Sequence, residues 1–338
     1  MKKIMIKKIT ALLLVAAAAV LLTGAAYGGA GSVPAASHRE RTALYIGGVP
    51  FGVRIYRDGV AVVGVSGDSV HEDEEGLKVG DVILEVNGKA TASAKTLTEE
   101  VRRSGGNTVL LTVRRGNDTI KISVKPYLKD GEYVLGIWTK SGVAGIGTVT
   151  YVDPQTREFG GLGHGICDDE GVPLRFRYGD TESVEITGIT RGAPGAPGEI
   201  HGILGEKTGR ITENAECGVF GIFAAIPENI EKKLYETAYP DEVTDGGATL
   251  VCGISDGSPV EYSAEIVRIT DRRADTKNFI IRVTDERLLS MTGGIVQGMS
   301  GSPILQNGRL IGAVTHVLVA DPTCGYGIFI DRMTDRQK

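Results

Sequence analysis

From residue 131 onward the chain is broken into short alternating runs, and this limits its fold more than any other feature. Short strand-like runs fall at 147–152, 174–178, 183–190, 218–225, 262–269, 278–284, 310–315 and 325–330, with glycine, proline and polar clusters between them. Alternation of that kind buries one face of a strand and leaves the other in water. One short stretch, 228–236, has helical spacing. Many short strands in one region bury their faces by closing into a barrel or a pair of barrels. Glycine supplies the turns, at 48 of 338 residues, about twice the ordinary share. The chain is therefore expected to be mainly β.

Residues 43–127 form a separate pattern. Strand-like runs at 43–47, 53–56, 61–65 and 82–86 precede Asn87-Gly88, a strong hairpin turn. A helix is expected over 97–103, with Leu97 and Val101 on one face, and a hairpin between 109–114 and 119–124. Glycines in Tyr45-Ile46-Gly47-Gly48-Val49-Pro50-Phe51-Gly52-Val53 allow a sharp bend that can turn successive N–H groups toward a carboxylate. Gly48, Phe51, Gly52 and Val53 are thus candidate peptide-binding residues, with Phe51 and Gly52 as the floor of a groove. The plainer reading is that these glycines only make turns. The stretch Glu75-Gly76-Leu77-Lys78-Val79-Gly80-Asp81-Val82-Ile83-Leu84-Glu85-Val86-Asn87-Gly88 resembles the signature of PDZ domains. That resemblance implies a small α+β PDZ domain whose ligand is a peptide or a protein C-terminus.

The N-terminus carries four lysines and then an uncharged run, 9–22. Residues 1–30 read as a signal peptide or a membrane anchor, and residues 31–42 as a linker. Cleavage and retention are both open, and either places the residues after 30 outside the cytoplasm. The net charge is −5, with no basic stripe beyond the N-terminus, which argues against nucleic acid as a partner. Cys167, Cys217, Cys252 and Cys324 form no CxxC pair, so zinc is not expected. Two disulfides in one of three connectivities, or four thiols, both fit. No metal or cofactor is called for.

The segment Gly294-Ile295-Val296-Gln297-Gly298-Met299-Ser300-Gly301-Ser302-Pro303-Ile304 packs small residues around one hydroxyl. A serine is a weak nucleophile until a base takes its proton, and the acyl oxygen then needs fixed donors. Ser300 is the candidate nucleophile, and the N–H groups of Gly298 and Ser300 are the candidate donors. Gly298 through Pro303 resembles the G-x-S-G-x-P segment of chymotrypsin-like peptidases, which implies a double β-barrel over 131–338. The competing G-x-S-x-G frame fails, because Ser302 follows Gly301 and no helix pattern comes next. Of five histidines, His38 and His71 lie outside this region, His201 reads as a loop residue, and His316 fits either the core or the site. His164, in a glycine-rich setting 136 residues before Ser300, is the candidate base. For the acid, spacing alone points to Asp241, Asp245 or Asp256, each of which also suits a turn.

Further motifs carry a family resemblance. Ala144-Gly145-Ile146-Gly147-Thr148, Gly163-His164-Gly165-Ile166, Val283-Thr284-Asp285, the Ser300 segment, Gly312-Ala313-Val314-Thr315-His316-Val317 and Gly325-Tyr326-Gly327 together resemble the stage IV sporulation protein B family. The resemblance implies a triad of His164, Asp285 and Ser300. It also implies an exported serine endopeptidase that cuts itself near its N-terminus. Its target would be a membrane-bound regulator of an intramembrane protease, in the space between the two membranes of a developing spore, and cleavage would release late sigma-factor processing. The N-terminal segment would hold it at the membrane before self-cleavage. Two alternatives stand: a non-catalytic PDZ scaffold on a degenerate barrel, and a general extracytoplasmic quality-control protease. Residues 331–338 match no motif of the family and read as a charged tail.

Overall fold

The structure is a computed structural model that describes residues 41–66, 76–91, 93–116, 118–167 and 171–335, apart from the side chains of Arg57 and Ser141. The N-terminal leader and most of the linker, together with His38 and His71, lie outside the described residues.

The chain starts with β1 (Ala43–Ile46) and a long β2 (Pro50–Val65). A small module follows: β3 (Val82–Val86), β4 (Lys89–Ala90), helix α1 (Ala94–Arg103), β5 (Val109–Arg115) and β6 (Asp118–Val124). The hairpin β7 (Tyr127–Lys129) and β8 (Glu132–Val134) leads into a second long strand, β9 (Ile137–Val152). Next come β10 (Glu158–Gly161), β11 (Tyr178–Thr190), β12 (Glu199–Ala215), β13 (Gly218–Phe223) and β14 (Leu234–Glu236). The last part holds β15 (Gly246–Cys252), β16 (Val260–Ile269), β17 (Phe279–Val283) and helix α2 (Glu286–Thr292). It ends with β18 (Pro303–Gln306), β19 (Arg309–Val317), β20 (Cys324–Phe329) and helix α3 (Ile330–Thr334).

Two rings of strands result. The C-terminal one is a closed barrel in the order β15-β16-β17-β20-β19-β18. Along β16, Tyr262, Ala264 and Ile266 point into it and alternate with the more exposed Glu261, Ser263 and Glu265, as the period-two pattern requires. In the other ring β2 pairs with both β9 and β11, β9 with β10, β10 with β13, β13 with β12, and β12 with β11. That path also returns on itself. Phe51, Val53, Ile55, Val149, Phe159 and Phe223 fill it, with the Phe159 and Phe223 rings stacked at 4.4 Å. A third apolar cluster, including Leu44, Tyr151, Phe220, Leu305, Leu310 and Met333, ties the rings together. The expected double barrel is present.

The PDZ module shares two strands with the first barrel. β2 and β9 each serve two cores. Residues 50–56 pair with 142–148 in the first barrel, and 61–65 pair with 137–140 in the small module. Val60, Val62, Ile83, Leu97, Val101 and Val113 form the core of that module. The module is thus inserted into a barrel hairpin, between Tyr56 and Gly142. Residues 43–56 lie with the barrels in space, and the module's own core begins at Val60.

This arrangement removes the candidate peptide-binding residues Gly48, Phe51, Gly52 and Val53 from any groove. The N–H of Gly48 donates to the Val149 carbonyl, and its own carbonyl accepts from Gly253. Phe51 and Val53 are buried in the first barrel. Gly52 has β9 on one side and β11 on the other, and a Cβ on it would lie 2.6 Å from the Leu204 side chain. No strand edge is left there to accept a peptide.

Three local expectations also change. Residues 228–236 are not helical; Tyr235 instead pairs with Leu44 of β1, a tertiary pairing that overrides local spacing. Residues 174–177 form no strand. The tail forms α3, with Ile330 and Met333 fully buried three residues apart on one face.

Candidate active site

The nucleophile segment joins α2 to β18 and lies against β9 and β12 of the first barrel. Ser300 follows two buried residues, Gly298 and Met299, and is itself half-buried. Gly298 has φ +99 and Gly301 has φ +95, a region that favours glycine. At Gly301 the contact is also closed, since a Cβ would lie 2.0 Å from the Thr148 carbonyl oxygen.

Each carbonyl from Gln297 to Gly301 has a donor. Gln297 accepts from the Ile200 N–H at 2.9 Å, Met299 from the Ser302 N–H at 2.9 Å, and Ser300 from the Thr148 N–H at 2.9 Å. Gly298 accepts from the Thr148 hydroxyl at 2.8 Å and Gly301 from the Thr150 hydroxyl at 2.7 Å. The Met299 N–H is tied to the Val296 carbonyl at 3.1 Å. The N–H groups on either side of it, those of Gly298 and Ser300, have no acceptor among the described residues. These are the two donors expected from the sequence.

His164 follows β10 through two residues of positive φ, Leu162 and Gly163, both at +65. This turn packs on β19, and a Cβ on Gly163 would lie 2.9 Å from the Val314 carbonyl oxygen. Asn214 clamps the chain just after the histidine, accepting from the Ile166 N–H and donating to the Ile166 and Leu174 carbonyls. His164 Nδ1 lies 2.9 Å from the Gly165 carbonyl oxygen. Its ring lies 4.6 Å from that of His316, at an angle of 35°. Ser300 Oγ donates to the carbonyl of Thr315, the residue before His316, at 2.7 Å. The structure therefore gathers Ser300, His164 and His316. Burial holds His164 below the ordinary imidazole value, partly offset by the Gly165 contact, and the Lys277 charge lowers it further. His316, open to solvent on its outer side, is lowered to about 4, first by desolvation, then by His164 and Lys277.

Asp285 is placed differently. Its carboxylate caps α2 through the Arg287 N–H at 3.0 Å, takes two contacts from the Arg287 guanidinium, and accepts from the Ser263 N–H at 3.2 Å. The Arg287 contact, followed by those backbone N–H groups, holds it well below the usual carboxylate range. The structure does not bring it to His164, whose Nδ1 is engaged by Gly165. Asp285→Asn keeps a capping oxygen, whereas Asp285→Ala loses about 1 kcal/mol of cap at the start of the segment that leads to Ser300. Asn is therefore expected to retain the reactivity of Ser300 and Ala to reduce it, as read by active-site labelling. A loss with Asn as deep as with Ala would give Asp285 the triad role.

The remaining candidates fall away. Ser302 is fully buried, away from solvent and substrate. The neighbouring Cys252 thiol is pushed up to about 12 by burial, an effect that Ser302 only tempers. None of the four cysteines is in a disulfide. His201 lies on β12, 2.7 Å from the Thr190 hydroxyl. Asp245 accepts from the Ile269 N–H at the end of β16, Asp256 accepts from the Ser258 N–H, and Asp241 lies in a short 3-10 turn.

A second cleft opens in the inserted module. It has a volume of about 220 Å³ and is lined by Leu97, Thr98 and Val101 of α1, by Lys129, and by residues 133–139. Gly136 has φ +68, and the N–H groups of Leu135 and Gly136 have no acceptor among the described residues. On the far side of residues 137–140 from β2, no strand is paired among the described residues. A groove-forming loop exists, but it is 133–136 rather than 48–53. The signal in the sequence is an apolar run, Tyr133-Val134-Leu135, ending in Gly136 at the close of a hairpin.

Comparison with known proteins finds a PDZ domain and a peptidase one after the other along the sequence. The SpoIVB peptidase S55 family matches residues 131–334, and the PDZ domain family matches residues 47–125. Serine protease HTRA1 of Xenopus laevis is 40% identical over 68 residues, which is 20% of this chain and 14% of that protein. HTRA1 of Xenopus tropicalis matches to the same extent, at 40% over 68 residues, 20% of this chain and 14% of that protein. The chain thus spans only a small part of these relatives. Among solved structures, the PDZ domain of the SdrC-like protein from Listeria monocytogenes is 26% identical, covering 25% of this chain and 90% of that one, with a TM-score of 0.23. The corresponding Listeria innocua domain is 28% identical, covering 24% of this chain and 93% of that one, with a TM-score of 0.22. The peptidase match spans 131–334, which includes His164 and Ser300 but not β1 and β2, and the chain belongs to the SpoIVB peptidase S55 family and carries a PDZ domain.

Proposed function

We propose that Ser300 is the nucleophile and His164 the general base of an endopeptidase. A hydrogen bond from Nδ1–H to the Gly165 carbonyl fixes one tautomer and leaves Nε2 free to take a proton. Ser300 exchanges its contact with Thr315 for His164 as substrate enters. Its oxygen then bonds to the scissile carbonyl carbon, its proton passes to His164, and the carbonyl oxygen takes the electron pair. That oxyanion faces the N–H groups of Gly298 and Ser300. Collapse breaks the C–N bond, and His164 returns the proton to the leaving amine. Water repeats the sequence on the acyl-enzyme. The observation that carries this reading is the pair of unsatisfied N–H groups flanking the tied Met299 N–H, beside a serine and a histidine.

The test is a fluorophosphonate probe, with the adduct located by peptide mass spectrometry. The expected result is an adduct on Ser300 that is absent in His164→Ala. An adduct on Ser302, or one that survives the loss of His164, would sink the assignment. The competing reading, a PDZ scaffold on an inert barrel, draws on the Ser300–Thr315 bond and on the distance of Asp285 from the histidines; it predicts no adduct.

The biological setting is part of the same proposal. The enzyme acts after export, in the space between the membranes of a developing spore. It cuts itself near the N-terminus and then cuts a membrane-bound regulator of an intramembrane protease. The charged and apolar residues 1–22 and the family match support this. Among the described residues no helix is long and apolar enough to cross a membrane; the apolar run 9–22 lies outside them. The cleft beside α1 takes an extended peptide as an added strand on residues 137–140, with Lys129 and the free N–H groups of Leu135 and Gly136 meeting its terminal carboxylate.

A further inference from the structure

We propose that Thr148 is a positioning residue that keeps the anion pocket of the Ser300 segment open, an inference that rests on Ser300 being the nucleophile. Five successive carbonyls, from Gln297 to Gly301, face donors on the inner side of the segment. Three of them take a backbone N–H. The carbonyls of Gly298 and Gly301 take only a side-chain hydroxyl, from Thr148 and Thr150 of β9. Side-chain donors are therefore the replaceable part of the clamp, and both come from the opposite barrel.

The two hydroxyls do not do the same work. The Gly298–Met299 peptide lies between the two open N–H groups. Glycine at 298 imposes little conformational barrier to rotating that peptide, so its orientation rests on two hydrogen bonds, the Met299 N–H on the Val296 carbonyl and the Thr148 hydroxyl on the Gly298 carbonyl. Its reversal would swing the Gly298 carbonyl toward the side on which the Gly298 and Ser300 N–H groups open, placing an acceptor where the substrate oxygen must sit. The Thr148 hydroxyl, on a residue 3% exposed, holds that carbonyl on the inner side. The same residue grips the segment twice more: its N–H donates to the Ser300 carbonyl, and its carbonyl accepts from Leu162, two residues before His164. The Thr150 hydroxyl holds Gly301, beyond the nucleophile, where no open donor depends on it.

The experiment compares Thr148→Val, Thr148→Ser and Thr150→Val in the full chain. The readouts are fluorophosphonate labelling kinetics, resolved into a maximal rate and a half-saturating probe concentration, and thermal melting. Deleting one oxyanion donor outright costs about 100- to 1,000-fold, so letting the pocket close for most of the time is expected to cost about 10- to 100-fold. Thr148→Val should lose this in the maximal rate, with little change in half-saturation. Thr148→Ser, which keeps the hydroxyl, should recover most of the rate. Thr150→Val should lower the melting temperature much as Thr148→Val does, yet label at close to the wild-type rate. Equal rate losses in the two valine variants would mean general loosening and would overturn the proposal. So would a serine variant no better than valine, or a valine variant that labels normally. If the wild type itself takes no label, the nucleophile assignment falls first, and the two failures are distinct.

Discussion

A chain that begins at Gly131, where the peptidase family match begins, is expected not to fold. It lacks β1 and β2, and residues 50–56 of β2 close the first barrel between β9 and β11. Leu44, Ile46, Val49, Phe51, Val53 and Ile55 leave with them, none more than 5% exposed. Each such side chain contributes about 1.5–3 kcal/mol, against a total stability of about 5–15 kcal/mol for a domain. The shortened chain should therefore show no cooperative thermal transition and no labelling at Ser300. The informative partner is the opposite cut. Tyr56 and Gly142 face each other across the hairpin, so replacing residues 57–141 with a short turn removes the PDZ module and leaves both barrels. That chain should melt cooperatively and label. If the chain from Gly131 folds and labels, β2 does not have the role described.

The second large effect is at His164. His164→Ala should lower turnover at Ser300 by about 10,000- to 1,000,000-fold. Burial keeps this imidazole below its ordinary value of 6.5, so it is neutral and able to accept a proton at pH 7. The acid limb of labelling is therefore expected below pH 6.5. Stability follows the same sign. On acidification the unfolded chain protonates its imidazoles from about pH 6.5, while His164 and His316 resist, so the unfolded state is favoured as pH falls. For His316 that window runs from 6.5 to about 4. Labelling and melting across pH 4–8 check both statements. An acid limb above 6.5 would require a carboxylate beside the imidazole, and would return Asp285 to the place that the family resemblance gives it.

The parts of this site that were legible in the sequence are those whose chemistry is local. Two glycines around Met299-Ser300 force a backbone that leaves alternate N–H groups unpaired, and nothing distant is needed to read that. The run from Gly76 to Gly88 is likewise turn chemistry, and Asn87 and Gly88 do take positive φ. Pairing partners far along the chain were not legible. Phe51 suits the floor of a peptide groove as well as a barrel core, and only its register opposite Gly147 decides. Tyr235 has helical neighbours in sequence but a strand partner in space. Asp285 is a triad candidate by resemblance alone, and the capping position it occupies, two residues before Arg287, follows from neither spacing nor family. The β12 strand, interrupted by glycines and largely exposed, carries too weak an alternation to be seen.

The insertion of the PDZ module into a barrel hairpin also bears on how the chain reaches its fold. Strands β2 and β9 must meet across the residues between Tyr56 and Gly142, and closing so long a loop unaided costs about 4 kcal/mol in chain entropy. The module has its own core and emerges from the ribosome before β9 is complete. Once it folds, residues 61–65 already lie against 137–140, and the rest of the pairing can zip outward from that end as a hairpin does. The slow, long-range step of barrel closure is thereby converted into local growth. A destabilised PDZ core, such as Ile83→Ala, would then delay formation of a barrel that contains none of its side chains.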